Sequence, residues 1–177
     1  QIMPVFAELL GAGEKGYGYL ISATGVGSVC GTLIIGRFQH SPLLGRYMMG
    51  GAVLFALSLL FFAAVTGLLE GGPVAFYAAC GCAILGGIGG SCFLISSMTV
   101  LQIAVPDALR GRVMGIHSIT FSLIALGGLV LGPIAELLSA PTAVLCGAIT
   151  FIISLIGFSV RFPNLWRLNA QNSDYKI

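Results

Sequence analysis

Charged residues along this chain gather in a few narrow places, and the stretches between them are apolar for about the length of a membrane crossing. Five charge-free gaps cover residues 16–36, 47–69, 71–106, 113–135 and 137–160. A helix crosses the bilayer core in about 20 apolar residues, so each gap predicts one span. The third is long for one helix and short for two with a loop, and is read as a single helix over 74–101 with looser ends. Residues 2–10, IMPVFAELL, have the character of the end of a further span. Helix is preferred to strand because lipid offers backbone amides no partner. The alternating ten-residue segments of a membrane barrel are absent.

Composition supports the same solvent. Of 177 residues, 57% are hydrophobic and only 8% are charged, with a mean hydropathy of +1.03. A water-soluble domain carries about a quarter charged residues. The net charge of +2 and the lack of a basic run exclude nucleic acid as a partner. The opening residue is Gln1, and no cleavable leader pattern follows it. The expectation is therefore a piece of a longer protein, with a bundle over 1–162 and a polar cytoplasmic tail over 163–177.

Basic residues orient the spans. Arg37 and Arg46 mark the first connection, Arg110 and Arg112 the third, and Arg161, Arg167 and Lys176 the tail. The second and fourth connections hold only Glu70 and Glu136. Basic charge thus recurs at every second boundary, with Lys15 beside Glu14 as the exception, and the C-terminus is expected in the cytoplasm. The most polar stretch, VPDALRGRVMGI over 105–116, then reads as a tight cytoplasmic turn. Pro106 ends one helix, Asp107 can cap the next, and Gly111 lets the two arginines crowd together.

Span character differs along the chain. The first carries small residues at helical spacing, Gly18, Ser22, Gly25, Ser28, Thr32 and Gly36, with Gly27 and Gly31 beside them. The third clusters Gly86, Gly87, Gly89, Gly90 and Ser91, and the fourth has Gly127, Gly128 and Gly132. Small residues let membrane helices approach closely. The second and fifth spans are bulky, so three central and two lipid-facing helices are expected. Hydroxyls at depth are the candidate pathway: Thr24, Ser28, Ser91, Ser96 and Thr120. The plainer reading of each is a bond back to its own helix. His117, five residues past Arg112, belongs near the interface. Glu136 lies at the outer edge of the fourth span, and an acid within a membrane is a functional candidate by default.

Other chemistry finds little footing. Cys30, Cys80, Cys82, Cys92 and Cys146 each sit in an apolar run, without the paired spacing of a metal site. Neither metal nor cofactor is expected. Ser91 and His117 are the one conceivable nucleophile and base, and nothing in the sequence brings them together, so an enzyme is not expected.

Several segments carry a resemblance. VPDALRGRVMGI resembles the connection between helices ten and eleven of major facilitator superfamily transporters. CGTLIIGRFQHSPLLGRYMMGG is similar to their eighth-to-ninth connection, and MPVFAELLGAGEKGYGYL to the end of helix seven and start of eight. The nearest branch in character is the enterobactin-exporter-like and macrolide-efflux-like group. The resemblance implies an all-α polytopic membrane bundle, the C-terminal half of that fold, with the end of helix seven and helices eight to twelve. It implies a secondary transporter, an exporter of amphipathic drug or siderophore molecules, working by alternating access coupled to protons in a bacterial inner membrane. Its partners would be a small-molecule substrate, the bilayer and the missing N-terminal helices, without which the fragment is expected to be inactive. An uptake carrier for a polar solute and a non-transporting scaffold are the alternatives.

The departures are specific. The superfamily's loop signature runs Gly, three residues, Asp-Arg, one residue, Gly-Arg-Arg or Lys. Here Gly36 is followed by His40 and Ser41 where the Asp and Arg would stand, and Gly45-Arg46 fits only with an insertion. The loop residues Arg37, Arg46, Asp107, Arg110 and Arg112 remain candidates for gating. Gly128, Gly132 and Pro133 resemble the opening of the antiporter signature, with Glu136 in place of its first closing Gly. A plain Gly-Pro bend is the simpler account of that run. No Asp, Glu, Lys or Arg lies in mid-span, so the coupling acid is expected outside these residues.

Overall fold

The computed structural model describes residues 3–38, 41, 43–69, 72–137 and 139–161; within the helices, the side chains at 3, 104, 107, 120–125, 130, 131, 134 and 136 fall outside that description. Six helices follow one another: α1 Met3–Leu9, α2 Gly13–Phe38, α3 Leu44–Leu68, α4 Pro73–Ala104, α5 Asp107–Leu137 and α6 Ala140–Arg161. Among the described residues, α2, α3, α4 and α6 are long and apolar enough to cross a membrane. α5 has 31 residues, also a crossing length. The long third gap is one helix, as read from the sequence, and it extends beyond 74–101 to Pro73–Ala104.

Local chemistry sets the breaks. At the end of α1 the Gly11 amide donates to the Glu8 carbonyl at 2.9 Å and the Ala12 amide to Ala7 at 2.9 Å. This paired closure needs a left-handed residue, and Gly11 supplies it with φ of 68°. α4 starts on Pro73, behind Gly72 at φ 96°, the position where a proline's missing amide costs nothing. At the 105–116 turn, Arg110 Nη2 donates to the Gln102 carbonyl at 3.3 Å. A guanidinium from the start of α5 thereby closes an orphan carbonyl at the end of α4.

α4 is the central helix, with α2 on one side and α3 on the other. α3 also packs on α6, α1 on α2, and α5 on α6. The contacts give the directions. Gly27 and Gly31 of α2 meet Ile84 and Ile88 of α4 in the same order, whereas Gly51 and Ser58 of α3 meet Gly89 and Gly86 in the reverse order. α2 and α4 therefore run parallel and α3 antiparallel.

The expected division into central and lipid-facing helices changes at two of them. α3, read as lipid-facing, is buried from Leu44 to Thr66 along one face. Its bulk is divided between two sides: Leu57 and Phe61 point out, while Gly51, Ala52, Ala56, Ser58 and Phe62 point in. α5, read as central, leans mainly on α6. On α2 the packed glycines are Gly27 and Gly31. Gly18, Gly25 and Gly36 of the small-residue stripe face open space.

Candidate functional site

Two apolar clusters close the bundle at different levels. Phe6, Leu10, Leu20, Phe62, Ala75, Ala79 and Ala140 form one, with the Phe6 and Phe62 rings edge to face at 4.9 Å. Ile35, Leu44 and Cys92 form the other, where Phe38 and Tyr47 stack at 5.0 Å across the loop joining α2 and α3. A cavity of about 380 Å³ extends along the bundle from Phe6 and Phe62 to Ser91 and Leu94. Its volume lies in the range of small-molecule sites.

α4 forms the floor through Cys82, Ala83, Gly86, Gly87, Gly90, Ser91 and Leu94. Of its three glycines, Gly86 and Gly87 let Ser58 and the α2 backbone approach closely, and Gly90 leaves space that a side chain would fill. Thr24 and Ser28 of α2 form one wall, and Phe55, Ser58, Leu59 and Phe62 of α3 the other. None of the lining residues is charged. The polar groups are four hydroxyls and one thiol, against three phenylalanine rings and aliphatic surface.

The hydroxyls are not equivalent. Thr24 Oγ1 donates to the Leu20 carbonyl at 3.0 Å, and Ser58 Oγ donates to Phe55 at 3.0 Å. Both protons are used within their own helices. Ser28 and Ser91 have no side-chain hydrogen bond among the described residues. Elsewhere the plain reading of membrane hydroxyls applies: Ser97 donates to Phe93 at 2.7 Å, Thr99 to Ile95 at 2.9 Å and Ser118 to Met114 at 3.0 Å.

Three of the five sequence-predicted pathway residues, Thr24, Ser28 and Ser91, thus meet at one cavity. Ser96 does not line it; it is wholly buried, and its Oγ has no hydrogen-bond partner among the described residues. An unmatched buried hydroxyl costs free energy. Ser96→Ala is therefore expected to stabilise the protein by about 1 kcal/mol, measured as a rise in melting temperature in detergent. The side chain of Thr120 lies outside the described residues, as do those of Asp107 and Glu136. Arg37, Arg46 and Arg112 are exposed, away from the cavity, and Arg110 is placed at the α4–α5 turn. Gly128 and Gly132 lie on α5, where Pro133 interrupts the hydrogen-bond ladder. Phe55, Ser58, Phe62 and Cys82 are lining residues the sequence reading missed. Among the described residues no cluster of His, Cys, Asp or Glu is arranged to hold a metal ion.

A family model described as transmembrane secretion effector, of the major facilitator superfamily, matches residues 1–176. No curated protein and no solved structure matches the chain.

Proposed function

The chain belongs to this transmembrane secretion effector family of the major facilitator superfamily, an integral multi-pass membrane transporter family, and on that premise we propose that it is the C-terminal half of an exporter of amphipathic small molecules. The observation that carries this reading is the uncharged cavity along α4, lined by four hydroxyls and three phenylalanines. Such a lining suits a molecule with a large apolar body and a few polar groups, of the drug or siderophore kind. Thr24, Ser28 and Ser91 would contact it, with Thr120 further along the route; Ser96, wholly buried, is not part of that route. The missing N-terminal helices close the other side of the pathway, and the two halves rock about it.

Orientation follows the basic residues: the Arg37–Arg46 and Arg110–Arg112 connections and the tail face the cytoplasm of a bacterial inner membrane. Those arginines and Asp107 sit where a rocking motion opens and closes the inner side. Pro133, with Gly128 and Gly132, is the proposed weak point at which α5 bends during exchange. The proposed driving force is proton exchange, with the titrating acid outside these residues.

The test is flux in proteoliposomes of the full-length protein loaded with dansylamide, a neutral amphipath. Dansylamide leaves the vesicles faster when a proton gradient is imposed, and empty vesicles do not respond. Flux equal to that of empty vesicles would overturn the transporter reading for this class of substrate. Glu136→Gln is expected to retain gradient-driven flux. Its complete loss in a normally folded variant would move the coupling acid into this half.

A further inference from the structure

Resting on the reading of the cavity as a substrate site, we infer that it selects uncharged molecules that donate a hydrogen bond, such as a phenol or alcohol, over an ether or a carboxylate of the same shape.

The charge preference comes from the lining. Among the described residues no lysine, arginine, aspartate or glutamate lines the cavity. A carboxylate or ammonium would have to leave water without a counter-charge, which is far more costly than moving a neutral group.

The donor preference comes from where the hydroxyl protons point. Thr24 and Ser58 each give their one proton to a carbonyl of their own helix at 3.0 Å. A hydroxyl so committed presents lone pairs to the cavity. The two line the cavity from opposite walls, Thr24 on α2 and Ser58 on α3. Ser58 Oγ lies over Gly86, 2.7 Å from where a Cβ would stand. A ligand hydroxyl in the cavity thus finds a committed acceptor on each wall. An ether oxygen there meets lone pairs, unless a side chain gives up its helix bond. Ser28 and Ser91 keep their protons, so an accepting group elsewhere on the molecule can be met about one turn along α4. Phe6, Phe55 and Phe62 take the apolar body.

Cys82 lines the cavity and provides the readout. The full-length protein in lipid nanodiscs is alkylated with N-ethylmaleimide, and modification at Cys82 is followed by peptide mass spectrometry. Three probes of one shape compete: β-naphthol, its methyl ether and β-naphthoate. The expected result is that naphthol protects Cys82 at a concentration about tenfold below the ether, with no protection by naphthoate. The ether partitions into lipid more readily, so partitioning alone gives the opposite order. Thr24→Val with Ser58→Ala should bring naphthol and ether to parity, while helix content is unchanged. Parity in the wild-type protein, or protection by naphthoate as strong as by naphthol, overturns the inference and leaves the substrate-site reading standing. No protection by any probe, or a Cys82 that does not react even without one, overturns both.

Discussion

Gly27→Val and Gly87→Val are each expected to take the α2–α4 pair apart. At Gly27 an added Cβ would fall on the Ile84 carbonyl, with the Ile84 Cα at 3.0 Å. At Gly87 it would fall on the Thr24 carbonyl, with the Ser28 nitrogen at 2.8 Å. These obstacles are backbone atoms, so no side-chain rotation relieves them and the helices must separate. Separation also withdraws the neighbouring contacts, including Gly31 against Ile88, where a Cβ would stand 2.6 Å from the carbonyl. Even alanine at either site should cost about 2 kcal/mol, in the range for overpacked interiors. Valine adds branches to the same clash and exceeds that. Against a total stability of about 5–15 kcal/mol, the valine variants should lose most of their monodisperse full-length protein in size-exclusion chromatography. Gly25→Ala is the internal control. It lies two residues from Gly27, where an added Cβ meets nothing within 4 Å, so its melting temperature should match the wild type. Equal damage at Gly25 and Gly27 would show that glycine content, rather than this packing face, is what α2 requires.

The same glycines show how far the sequence could be read. Spans were legible because charge, proline and glycine punctuate them: Arg37 closes α2, Pro73 opens α4, and Pro106 separates α4 from α5. Faces were harder to read. The stripe Gly18, Gly25, Gly36 is longer than the pair Gly27, Gly31, yet the pair makes the contact. Spacing identifies residues that share a side of a helix but not which neighbour that side meets. Composition misled in a related way at α3. Its bulk suggested lipid on every side, while Gly51, Phe55, Ser58, Phe62 and Thr66 recur at steps of three and four and form an inward face. That run was the available signal for Phe55, Ser58 and Phe62. Thr24, Ser28 and Ser91 could be proposed from sequence because hydroxyls are rare at depth. Ser96 was grouped with Ser91, although five residues turn about 140° around a helix, which carries it off the cavity floor.

α4 brings stability and the proposed function onto one run of residues, and Gly90 is where they can be separated. Gly87 and Gly89 hold α4 against α2 and α3: a Cβ on Gly89 would stand 2.6 Å from the Phe55 nitrogen and 2.7 Å from the Gly51 carbonyl. At Gly90 the nearest atom to an added Cβ is a Phe55 ring carbon at 3.4 Å, an ordinary contact, and the residue lines the cavity. A side chain introduced there enters space that the fold leaves empty. Gly90→Ala should therefore fold as well as the wild type, since alanine favours a helix by about 1 kcal/mol over glycine. Gly90→Leu should fold too, with its branched end lying across the floor between Ser91 and Phe55. If substrate passes through this cavity, Gly90→Leu lowers flux in proteoliposomes about tenfold or more, the loss that about 1.4 kcal/mol of disrupted binding produces. Gly90→Ala should retain most of it. A well-folded Gly90→Leu protein with undiminished flux would place the pathway elsewhere and leave the cavity a packing feature of the bundle. A Gly90→Leu protein that melts as low as Gly89→Ala would instead make the whole glycine run structural. The diagnostic result is a normal melting temperature together with lost flux, because neither a structural glycine nor an unused cavity produces it.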